Sequence, residues 1–89
     1  MRLDKYLKVS RIIKRRSVAK DIADQGRITI NGKVAKSSSS VSEGDGLVIN
    51  FGNKTLTVKI DAIKDTTKKN ESQDMYTVLN EEYKEDYRN

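Results

Sequence analysis

The dipeptide Asn31-Gly32, set inside RITINGKVA at residues 27–35, constrains the fold of this 89-residue chain more than any other feature. Both central residues of a tight type I′ turn need positive φ, which Asn and Gly tolerate, and Ile28 and Ile30 alternate ahead of it as a half-buried strand does. A β-hairpin is predicted here. A second is predicted where Leu47, Ile49 and Phe51, then Leu56, Val58 and Ile60, alternate around Gly52-Asn53. Between the two, KSSSSVSEGDG ends in the turn signal Gly44-Asp45-Gly46, and its serine run reads as a solvated loop, with phosphorylation as the alternative.

Upstream of the hairpins the period changes from 2 to 3.6. Leu3, Tyr6, Leu7 and Ser10 predict a helix over about residues 3–10, with Ile12 and Ile13 returning the chain to the core. Ser17 is expected to N-cap a second helix, whose buried stripe is Val18, Ala19, Ile22 and Ala23 and which a left-handed Gly26 ends. Neither helix is long enough to be stable alone. The expected class is therefore α+β: a helix-turn-helix pair packed on a small, mostly antiparallel sheet, with residues 1–63 as the domain. Residues 64–89 read as a polar extension, flexible or loosely docked. Within it Met75, Leu79, Tyr83 and Tyr87 recur at i+4 as a marginal acidic helix, while 76–79 could equally add a strand. The final KEDYRN is expected to fray.

Charge is distributed unevenly along this framework. Residues 1–36 hold eleven Lys and Arg against three Asp, about +8, whereas residues 37–89 hold seven against ten acids, about −3. A basic front of this kind favours a polyanion partner. Arg2, Lys5 and Lys8 project from the first helix opposite its apolar face, and Arg11, Lys14, Arg15 and Arg16 crowd the turn that follows. Lys20 joins them from the second helix. Some of these have structural alternatives, since Arg11 could cap the first helix or pair with Asp21, and Lys20 could pair with Asp24 at i+4. With no cysteine and no histidine there is no thiolate, imidazole or Cys/His metal site, so neither an enzyme nor a cofactor is expected. No apolar run approaches the roughly 20 residues that span a bilayer, and the charged N-terminus lacks a signal-peptide core, so a cytoplasmic location is expected.

Further motifs sharpen the reading. RLDKYL at 2–7, SR at 10–11, RRSVAKDIADQGRITINGKVAKSS at 15–38 and GD at 44–45 resemble the RNA-binding domain named after ribosomal protein S-four, over roughly the first 50 to 60 residues. Together with FGNKTLTVKI, IKDTTKK and MYTVL, the chain is similar to the RqcP and heat-shock protein fifteen-like family of stand-alone members. That resemblance implies a factor bound to rRNA of the large ribosomal subunit and to peptidyl-tRNA after a stalled ribosome is split; the chain itself is expected to be a monomer. It also implies work alongside RqcH, which adds an alanine tail to the stalled chain. The family's RNA-contacting positions match Arg2, Lys5, Arg11, Arg15, Arg16 and Lys20. The competing expectations are a generic structured-RNA binder and a DNA-binding helix-turn-helix module; an adaptor role using Glu81, Glu82, Glu85 and Asp86 is compatible with RNA binding.

Overall fold

A computed structural model describes residues 1–65 and 72–83. Its strands are β1 (Ile28–Ile30), β2 (Lys33–Val34), β3 (Gly46–Asn50), β4 (Lys54–Ile60) and β5 (Tyr76–Tyr83), joined in one antiparallel sheet of order β2-β1-β3-β4-β5. The register places Ile28 opposite Ile49 and Ile30 opposite Leu47, and sets Leu47 and Ile49 opposite Val58 and Leu56. The alternating apolar positions thus share one face of the sheet. Both predicted hairpins are present. Asn31 and Gly32 take φ of 52° and 85°, as a type I′ turn requires, and Gly52 turns the second hairpin at 95°.

Two helices, α1 (Leu3–Val9) and α2 (Arg16–Asp24), precede the sheet. Leu3, Tyr6 and Leu7 are fully buried and join Ile13, Ala19, Ala23 and the inward strand residues in one core. The end of α2 is a Schellman motif, with Gly26 at φ 79° donating to the Ala23 carbonyl at 2.9 Å and the Arg27 amide reaching Ile22 at 3.3 Å. Its beginning differs from expectation. Arg15, in extended backbone, occupies the cap position without a side-chain cap bond, and Ser17 is already inside the helix. Val18 also lies outside the buried stripe at 41% exposure, because the inward arc centres on Ala19 and Ala23.

The serine run is more structural than a solvated loop. Ser37 is buried, and the carbonyls of Ser39 and Ser37 accept the Leu3 and Asp4 amides at 2.7 and 3.1 Å. First-turn amides have no partner inside their own helix, so this segment caps α1. At the other end of the chain the strand alternative holds through Tyr83. β5 pairs with β4 from Tyr76 opposite Ile60 to Tyr83 opposite Lys54, with a bulge that leaves Leu79 unmatched. Met75, just before it, is buried; its carbonyl accepts the Asp61 and Ala62 amides at 2.8 and 3.2 Å and the Tyr6 hydroxyl at 2.7 Å. Tyr87, Glu85, Asp86 and the KEDYRN segment lie outside the described residues.

Candidate nucleic-acid interface

The basic turn is built by the way α1 stops. Ser10 forms the C-cap and Arg11 follows in the left-handed region at φ 65°, its amide donating to Lys8 at 3.1 Å. Glycine usually fills such a position, so an arginine there carries a local backbone cost. The reversal lets Ile13 re-enter the core and leaves Lys14 and Arg15 exposed before α2. The first turn of α2 contains no acid and opens with Arg16 after Arg15 at the cap. Cations at the positive end of a helix dipole oppose it, whereas an anion brought there would be favoured by both.

The eight sequence-predicted cations fall into two sets. Lys8, Arg11, Lys14 and Arg15 are exposed and make no ion pair among the described residues. The other four are paired. Lys5 Nζ lies 3.3 Å from Asp65, and Lys20 Nζ lies 2.9 Å from Asp24, which is the i+4 pair anticipated above. Arg2 and Arg16 converge on Asp4, which sequence reasoning missed. Arg2 donates from Nε and Nη2 to the two carboxylate oxygens, each at 3.1 Å, and Arg16 Nη2 donates to Oδ1 at 3.4 Å. The Lys5 amide adds a fourth bond at 2.8 Å. The available signal was positional: Asp4 precedes Leu7 by three residues and so borders the buried stripe of α1. Arg16 is consequently more than a free turn arginine, since removing it also takes a partner from a buried carboxylate.

A second carboxylate braces the same region. Asp24 accepts Lys20 through Oδ2 and the Ser37 amide through Oδ1 at 3.0 Å, while the Ser37 carbonyl holds the Asp4 amide. Arg2, Arg16 and Lys20 therefore stand on one network joining α1, α2 and the serine segment.

These contacts set an acid limit on stability. Burial alone would raise the Asp4 carboxyl, but hydrogen bonds from Arg2, Arg16 and the Lys5 amide outweigh it and hold its pKa below the ordinary value near 3.8. The Lys20 ammonium, then the Ser37 amide, lower Asp24 to about 2. A depressed carboxyl contributes stability that is fully present above its unfolded pKa and is lost as pH falls through its folded value. Urea unfolding should therefore show stability level above pH of about 4 and declining from there toward pH 2. In Asp24→Asn that decline should be shallower, and a decline identical to wild type would show that Asp24 is not among the groups responsible.

Among the described residues no cluster of carboxylates is arranged to hold a metal, and no helix is long and apolar enough to cross a membrane. What the described surface offers is a cluster of exposed cations around the α1–α2 connection. The family model for the S4 domain matches residues 1–47. The RQC P-site tRNA stabilizing factor of Bacillus subtilis (strain 168) is 62% identical over 82 residues, covering 92% of this chain and 95% of that one. The factor of the same name from Halalkalibacterium halodurans is 57% identical over 82 residues, covering 92% and 93%. Among solved structures, the trimeric Heat Shock Protein 15 of Vibrio cholerae superposes with a TM-score of 0.82 at 34% identity, over 89% of this chain and 81% of that one.

Proposed function

This chain belongs to the S4 domain family of RNA-binding proteins, within which the RQC P-site tRNA stabilizing factors are its relatives, and from that premise we propose that it is a non-enzymatic factor of bacterial ribosome-associated quality control. In this reading it binds rRNA of the large subunit and the peptidyl-tRNA left there after a stalled ribosome is split, and it steadies that tRNA while RqcH extends the stalled chain with alanine. It acts as a single copy in the cytoplasm, needs no cofactor, and uses residues 1–63 for RNA.

The observation that carries the reading is the set Lys8, Arg11, Lys14 and Arg15, unpaired among the described residues, beside the braced set Arg2, Arg16 and Lys20. Lys5 stands at the margin of both through its exposed pair with Asp65. Cations at one helix junction can reach several phosphates together, giving affinity and orientation without reading bases. Structured RNA suits such a surface because A-form helices are recognised mainly through backbone, shape and 2′-hydroxyls. A DNA-reading helix is less well supported. The exposed positions of α2 include Val18, which offers no hydrogen bond to a base edge, and Asp24, whose carboxylate is taken by Lys20 and the Ser37 amide.

The reading is tested by titrating tRNA at increasing salt, with duplex DNA as competitor. At about −0.7 per neutralised phosphate, the four unpaired cations alone give a log–log slope near about −2.8, and engagement of Arg2 and Arg16 steepens it to about −4. DNA should compete poorly. A slope near zero, or equal displacement by DNA, would contradict the proposal.

A further inference from the structure

We propose that Asp4 is a positioning residue for RNA recognition: its buried carboxylate sets Arg2 and Arg16 as one fork, giving up some attraction in exchange for selectivity. The proposal rests on the RNA-binding reading above and adds to it a residue that carries the wrong charge for the ligand. A carboxylate beside a phosphate-binding face weakens attraction, because one of its two cationic neighbours is neutralised in the net charge. The geometry gives it a different use. The Asp4 side chain is only 3% exposed, while those of Arg2 and Arg16 are 49% and 48% exposed, so the anion lies beneath and the two guanidinium groups reach outward.

The donor inventory follows from the bonds. A guanidinium has five N–H donors in a planar fork. Among the described residues Arg2 spends two of them on Asp4 and Arg16 spends one, leaving three and four for an outside ligand. A long exposed arginine otherwise samples many rotamers and loses that freedom on binding. Here part of the ordering is already done in the free protein, as preorganised recognition requires. Asp4 itself is anchored at both ends. Its amide is held by the Ser37 carbonyl and its carboxylate by the Lys5 amide, and Ser37 in turn is fastened to Asp24. Ser37, the buried residue of the serine run, is thus the brace on which the fork's spacing depends.

The test compares binding of tRNA with binding of heparin, a polyanion without RNA geometry, for wild type, Asp4→Asn and Arg16→Lys, each measured well below its unfolding temperature. Asp4→Asn raises the net charge by one, so heparin affinity should hold or rise while the preference for tRNA falls about tenfold, a coupling typical of residues in one hydrogen-bond network. Arg16→Lys keeps the charge but cannot span two acceptors with a planar fork, and it should lose preference with an unchanged salt slope. A purely structural role for Asp4 would lower the unfolding temperature and leave the preference of the folded protein intact. If Asp4→Asn does not fold, Arg16→Lys decides the matter. Wild type that prefers tRNA, with variants that keep the preference, overturns this proposal alone. Wild type with no preference and no salt dependence overturns the RNA-binding reading with it.

Discussion

The double variant Lys14→Ala/Arg15→Ala is expected to bind tRNA about 100-fold more weakly than wild type, with unfolding free energy changed by no more than about 0.5 kcal/mol. Both side chains are exposed at the α1–α2 connection and neither makes an ion pair among the described residues, so their removal leaves no charge stranded. Each is assigned about 1.4 kcal/mol, close to the lower end for hydrogen bonds to charged groups. The salt slope should fall by about 1.4, two contacts at about 0.7 each. Arg2 and Arg16 are poorer choices for this purpose. Removing both would leave the buried Asp4 with only the Lys5 amide, and a stranded buried charge is strongly destabilising. Loss of binding in that variant would mix unfolding with lost contacts. In Lys14→Ala/Arg15→Ala the two are separate, and unchanged affinity at unchanged stability would remove the turn from the interface.

The largest effect on folding is expected at Tyr6. Its ring is fully buried between α1 and the sheet, and its hydroxyl donates to the Met75 carbonyl at 2.7 Å, tying the first helix to the segment that leads into β5. Tyr6→Ala removes the ring and leaves a cavity, at a cost of about 3–5 kcal/mol. For a chain of this length that is a large share of a total of about 4–13 kcal/mol. Tyr6→Phe should cost only about 1 kcal/mol, because the ring stays and the Met75 carbonyl keeps the Asp61 and Ala62 amides. The milder variant should melt about 4–8 °C below wild type, and urea unfolding of all three proteins measures the pair of differences. If Phe proved as damaging as Ala, the hydroxyl and not the packing would dominate, contrary to the account.

How much of this could be seen in the chain itself depended on whether the cause was local. The hairpin at Asn31-Gly32 and the helix end at Gly26 were legible because positive φ is a demand on one residue, answered by that residue. The apolar ladder was legible because strand pairing preserves period 2. Beyond residue 75 the same logic left helix and strand open: Met75, Leu79 and Tyr83 fall at the i+4 spacing of a helix, and the bulge that leaves Leu79 unmatched interrupts the period of the strand that forms. Ser17 failed as a cap because a cap is chosen by backbone geometry, and the extended residue turned out to be Arg15. The cations themselves were visible as charge, but their division into paired and unpaired sets was not. Asp4 holds Arg16 across twelve residues and Ser37 reaches Asp24 across thirteen, and such partners are assigned only when the helices close on the serine segment.

Under the proposed function, the cations at the α1–α2 junction fasten this protein to peptidyl-tRNA on the large ribosomal subunit. Co-sedimentation of wild type and Lys14→Ala/Arg15→Ala with small subunits, vacant large subunits and large subunits carrying peptidyl-tRNA addresses it most directly. Wild type should pellet preferentially with the tRNA-bearing large subunit, and the double variant should lose most of that binding while remaining folded. Equal recovery with all three particles, or binding to the tRNA-bearing particle that is indifferent to Lys14 and Arg15, would contradict it.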